Sequence, residues 1–73
     1  MILDSEGKPL HVGARVICDG MQGVVVCSID TGEGTPEAPI EQWSYLRHGL
    51  IVRTKEAGLL HYADGSGIVQ ISD

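Results

Sequence analysis

The sequence predicts an all-β fold: a small, strongly bent antiparallel barrel of five strands, with a long acidic loop and one short helical turn. Three observations carry this. The apolar residues fall in short runs rich in Val and Ile, residue types that suit a pleated, half-buried surface. Ten glycines among 73 residues punctuate those runs with tight-turn signals. A chain this short buries only about 60% of the surface its unfolded form exposes, so a core of short strands gains from near-closure that hides the strand edges.

The elements follow in order. Met1 to Leu3 is expected to add a short edge strand. Ala14 to Cys18 is the first apolar run and Gly23 to Ile29 the second, separated by the compact turn Asp19-Gly20-Met21-Gln22, where Gly20 supplies positive φ. With a four-residue turn, Cys18 lies opposite Gly23 and Cys27 opposite Ala14. At ~3.4 Å per residue the two thiols are then about 13 Å apart along the ladder, too far for a disulfide. Leu50 to Thr54 is the third run, followed by the turn Lys55-Glu56-Ala57-Gly58 and a fourth run, Leu59 to Tyr62. Asp64-Gly65-Ser66-Gly67 turns the chain into a fifth run, Ile68 to Ile71. Val16, Val24, Val26, Val52, Leu60 and Ile71 are predicted to supply most of the inward face.

One segment breaks this rhythm. Asp30 to Gln42 is a polar connection that contains Asp30, Glu33, Glu37 and Glu41 but no Lys or Arg. Pro39 to Leu46 reads as one or two helical turns, with Pro39 at the first helical position and Gly49 as the C-terminal stop. Ile40, Trp43 and Leu46 then fall on adjacent turns, placed to cap an open end of the barrel. No internal repeat interrupts residues 1–73, which read as one domain.

Composition narrows the function. Five Lys plus Arg against ten Asp plus Glu give a formal net charge of -5, the wrong sign for sequence-independent attraction to phosphates, so nucleic acid is a disfavoured partner. No run approaches the roughly 20 apolar residues of a spanning helix, and the start turns acidic at Asp4 without a basic leader region. The expectation is a cytoplasmic protein without membrane contact, its Cys18 and Cys27 free and buried. Cys18 and Cys27 are too far apart in sequence for a C-x₂-C zinc site, and no calcium-loop motif is present, so no metal or cofactor is expected. His61 shares a strand face with Leu59, opposite Leu60 and Tyr62. It is placed to pair with Asp64, but no nucleophile stands at a spacing that suggests activation, and no catalytic residue is assigned.

Val12-Gly13-Ala14-Arg15-Val16, a turn, and then Gly23-Val24-Val25-Val26 resembles the opening strand-turn-strand of SH3-like barrels, including KOW-type and CAP-Gly-type modules. The resemblance covers about a quarter of the chain and implies an SH3-like barrel. Val69-Gln70-Ile71 also resembles the first three residues of the Val-Gln-Ile-Tyr pore motif of the small plasmid-borne, trimethoprim-insensitive dihydrofolate reductases, which are SH3-like barrels assembled around a central pore. Ser72 stands where that motif has tyrosine, and no lysine lies near enough in sequence to match the pore lysine. The activity is therefore not carried over.

The function these features predict is that of a small non-catalytic interaction module. Asp30, Glu33, Glu37 and Glu41 would steer a basic protein surface, and Trp43 and Tyr45 would supply desolvated contact area. Trp43 serves equally well as core mass in a chain without Phe. On this reading the acidic loop is a self-repelling surface segment, and neutralising its carboxylates leaves stability unchanged. A homo-oligomer, a dimer first, is expected because a small core with strand edges gains from further burial. The alternatives are an oligomeric enzyme or ligand-binding protein with a site shared between subunits and, third, a KOW-like nucleic-acid module.

Overall fold

A computed structural model describes residues 2–71. The strands are β1 (Arg15–Cys18), β2 (Met21–Ser28), β3 (Leu50–Thr54), β4 (Gly58–Tyr62) and β5 (Ile68–Gln70). Between β2 and β3 lie the single-turn helix α1 (Ile40–Trp43) and a 3-10 turn, Ser44–Leu46. The five strands form one antiparallel sheet in the order β4-β3-β2-β1-β5.

The all-β expectation is met, but the sheet is open, with β4 and β5 at opposite edges. The N-terminal segment occupies the outer side of β5. Ser5 N–H donates to the Ile68 carbonyl at 2.8 Å, and Asp4 Oδ2 accepts from Gln70 N–H at 3.0 Å. Instead of an edge strand, this segment makes isolated bridges, Leu3 with Pro9 and Asp4 with Gly65. Met1 lies outside the described residues.

The first hairpin is tighter than expected. Cys18 pairs with Met21, so Asp19 and Gly20 alone make the turn, with φ of 52° and 77°. Two consecutive positive φ values match the right-handed twist of the flanking strands, which is why Asp-Gly is favoured there. Val16 then lies opposite Gly23. Residues directly opposite share a face, so Val25 rather than Val24 joins Val16 in the core.

A bulge between Val25 and Cys27 shifts the register of β2 against β3, so that both Val26 and Cys27 turn to the other face. The result is two apolar clusters. The larger contains Leu10, Val16, Cys18, Val25, Leu50, Val52 and Ile68, closed by Ile2. The second contains Val26, Cys27, Ile29, Ala38 and Ile51. Of the predicted inward residues, Val16 and Val52 belong to the first cluster and Val26 to the second. Val24, Leu60 and Ile71 are only half-buried. Val24 lies opposite Arg15 on the far face, Leu60 sits on an edge strand, and Ile71 follows the end of β5. Cys18 and Cys27 are free and buried as expected, but Cys18 pairs with Met21 rather than Gly23, and the bulge places the two thiols in different clusters.

Candidate functional site

The segment between β2 and β3 is a structured excursion. At its neck Asp30 Oδ1 accepts from Gly49 N–H at 2.8 Å, and Ile29 N–H donates to the Gly49 carbonyl at 2.9 Å. Ser28 and Glu33 exchange backbone hydrogen bonds of 2.7 and 3.0 Å, which turns the chain back on itself. Thr35 Oγ1 donates to the carbonyl of Val26, the bulged residue, at 2.8 Å. Opening the ladder at the bulge thus provides the acceptor that holds the excursion against the sheet. Gly34 is required here, because a Cβ would lie 2.5 Å from Ile40 N.

Helix α1 starts one residue later than expected. Pro39 is its N-cap, in extended conformation, and Gly49 does not end the helical segment. Arg47, with φ 73°, follows the 3-10 turn as its C-cap. Gly49 instead serves close approach, since a Cβ there would lie 2.5 Å from the Tyr62 carbonyl oxygen. Ile40, Trp43 and Leu46 do act together, but they pack on the second cluster and cover part of one sheet face. Trp43 is half-buried, with its Nε1 enclosed and lacking a hydrogen-bond partner.

The six predicted site residues therefore separate by role. Asp30 closes the neck. Glu37 spans to the sheet, where Arg53 Nη1 donates to its Oε1 and Oε2 at 2.8 and 2.9 Å. Two of the four carboxylates thus hold the excursion in place, which corrects the picture of a self-repelling loop. Glu33 is exposed and accepts from Thr31 Oγ1 at 2.7 Å, and Glu41 is exposed in the first turn of α1. Tyr45 is 71% exposed, whereas Trp43 and Leu46, on either side of the Ser44-Tyr45 pair, pack inward.

Beyond the excursion lies the rest of the same sheet face. It forms a concavity of about 570 Å³ whose lining includes Arg15, Gln22, Val24, Arg53, Lys55 and Ile71. Val24 pairs with Arg15 on one side and Arg53 on the other, so the two guanidinium-bearing strands flank it. Three of the five cations of the chain line this hollow. Sequence reading missed it because Arg15 and Arg53 are far apart in the chain and only the strand register sets them in one row.

Elsewhere, Asp4 is a buried carboxylate that accepts from Glu6 and Lys8 N–H through Oδ1 and from Gln70 N–H through Oδ2, at 2.8 to 3.0 Å. Burial pushes its carboxyl upward, but the backbone donors of Gln70, Lys8 and Glu6, helped by the Lys8 charge, bring it below the usual carboxylate range. Tyr62 Oη donates to Asp19 Oδ2 at 2.8 Å, and burial, with Cys18 and Asp19 nearby, raises its phenol well above the ordinary range. Burial also raises the Cys27 thiol. His61 Nε2 meets the His48 carbonyl oxygen at 3.0 Å rather than Asp64, whose carboxylate accepts from Ser66 N–H and Oγ. Among the described residues no three His, Cys, Asp or Glu side chains converge to hold a metal, and no helix is long and apolar enough to cross a membrane. Searches against protein-family models, curated proteins and solved structures found no match.

Proposed function

We propose that this chain is a small non-catalytic interaction module that contacts a basic protein surface through the exposed side of its excursion. The observation that carries this is Tyr45, an aromatic 71% exposed on a short turn whose neighbours Trp43 and Leu46 are packed on the sheet. An aromatic presented by a fixed support loses little further freedom when a partner covers it. Glu33 and Glu41 add negative charge for steering, while Asp30 and Glu37 keep the support in shape. The SH3-like barrel reading is retained as a proposal, supported by the strand order that brings the last strand beside the first and by the bulge that bends the longest strand.

The test compares partners captured by the wild type with those captured by Tyr45→Ala and by a Glu33→Gln/Glu41→Gln double variant, all shown to be folded. Loss of the same partner with Tyr45→Ala, and slower association at low salt with the double variant, is expected. A partner retained equally by all three would overturn the assignment of this surface.

A self-associating module is the second reading, and β4 favours it. Among the described residues β4 pairs with β3 alone, and its five residues, Gly58–Tyr62, include no Lys, no Pro and no bulge to discourage a further strand. Antiparallel pairing of two β4 strands about a twofold axis gives a closed dimer. Light scattering should show a dimer for the wild type and a monomer for Leu59→Lys.

A further inference from the structure

Resting on the two readings above, we propose that pairing through β4 makes the partner surface bivalent. With Leu60 on the twofold axis, the excursions of two copies stand on the same side of one continuous sheet and together fit a protein with two neighbouring basic segments.

The β4 edge sets the register. Among the described residues the backbone groups of β4 find partners only on β3, so alternate residues along its outer edge present N–H and C=O groups to a further strand. Gly58–Tyr62 contains no Asp, Glu, Lys or Arg, and two such strands side by side set no like charges opposite one another. A twofold axis that joins the two edges antiparallel stands perpendicular to the sheet and keeps each face on its own side. Centred on Leu60, the middle residue, it pairs all five positions: Gly58 with Tyr62, Leu59 with His61, and Leu60 with its own copy. Leu59 lies opposite Arg53, on the face that carries the excursion, and is 39% exposed in the single chain. In this register it meets His61 of the other copy. His61 Nε2 is held at 3.0 Å from the His48 carbonyl oxygen, so the C-terminal limb of each excursion reaches the junction.

The same register fixes how the two excursions are presented. Each packs on Val26 and Cys27 of β2 and on Ile51 of β3. Across the junction β3 and its copy are three strand spacings apart and β2 and its copy five, roughly 14 and 24 Å at ~4.8 Å each. Two Tyr45 side chains, each with its own Glu33 and Glu41, are thus carried on one side of the dimer. A flexible linker of about 20 residues has a root-mean-square span of roughly 25 Å, so one partner chain with two basic segments can engage both. A single strand edge joins the copies, so the dimer is weak alone and a two-segment partner strengthens it by binding both halves.

The experiment uses the full chain at low salt with two probes: a peptide with one block of about four lysines, and one with two such blocks joined by a Gly-Ser linker of about 20 residues. Cysteine cross-linking with oxidised glutathione reads the register, the native Cys18 and Cys27 being buried. Leu60→Cys sets two thiols on the axis, with Cα atoms about 4.5–5.5 Å apart, and should form a disulfide dimer. Leu59→Cys or His61→Cys alone sets them roughly 8 Å apart and should not. A mixture of those two variants, both at exposed positions, should give the mixed disulfide, which keeps the register testable if Leu60→Cys folds poorly. The disulfide dimer should bind the two-block peptide at least tenfold more tightly than the one-block peptide, whereas reduced protein diluted to monomer should gain only about twofold. Equal binding of the two peptides by the disulfide dimer overturns the bivalent surface and leaves both readings above standing. Cross-linking of Leu59→Cys alone, or none in the Leu59→Cys and His61→Cys mixture, overturns the register. No binding of the one-block peptide overturns the basic-partner reading as well, and a wild-type monomer in light scattering up to about 1 mM overturns the self-association reading.

Discussion

The carboxylate of Asp30 accepts a hydrogen bond of 2.8 Å from the backbone N–H of Gly49, nineteen residues later in the chain. The contact joins the end of β2 to the start of β3 and makes the excursion a closed loop with a defined neck. It also assigns this acidic residue a structural task. Asp30→Ala should destabilise the fold by about 1–2 kcal/mol, because it leaves a buried backbone donor without its charged acceptor. Asp30→Asn retains an acceptor oxygen and should cost less. Urea unfolding of the two variants checks the order, and an Asp30→Ala midpoint equal to wild type would mean the neck is held by the backbone alone.

Acid sensitivity should trace to Asp4. Its carboxyl is depressed in the folded protein, so its contribution to stability is complete above the unfolded carboxylate value, about 3.9, and is lost as pH falls through the lower folded value. Melting temperature should therefore drop below about pH 4 in the wild type. Asp4→Asn should be less stable at neutral pH and show a flatter acid limb. Parallel curves for the two proteins from pH 6 to pH 2 would contradict this origin.

Two leucines on facing strands should behave differently. Leu50 is fully buried in the first cluster, and Leu50→Ala should cost about 2–5 kcal/mol, enough to unfold much of the population of so small a domain. Leu60 is on the edge strand and half-buried, so Leu60→Ala should cost about 1 kcal/mol or less. Equal losses in thermal melts would place β4 in the interior.

Trp43 supports the display of Tyr45 rather than standing beside it as a second contact. Trp43→Ala should lower stability by about 2–4 kcal/mol, somewhat below a full core truncation because the ring is half-buried. Trp43→Phe removes an enclosed Nε1–H that has no acceptor and should cost much less. Calorimetry of the two variants tests this, and an undisturbed melt for Trp43→Ala would return the residue to the contact surface.

The strand inventory was legible from residue order because each run's Val and Ile content and bounding glycines are local properties. Leu50–Thr54 has the bounds expected, β1, β4 and β5 each differ by one residue at one end, and β2 starts two residues earlier and ends one earlier. Even the Asp19-Gly20 turn was available, since Asp-Gly between apolar runs favours a two-residue hairpin; the longer turn expected instead shifted the pairing. The six candidate site residues could be marked as acidic or aromatic, but not sorted into supports and exposed groups. That sorting depends on where Asp30 meets Gly49 and Glu37 meets Arg53, nineteen and sixteen residues apart. The bulge at Val26, the two clusters on opposite faces, the open edge of β4 and the Arg15-Val24-Arg53 row belong to the tertiary structure alone. Side-chain direction in a strand alternates residue by residue, so one extra residue or a shifted turn reassigns every neighbour beyond it, and only the assembled ladder determines that register.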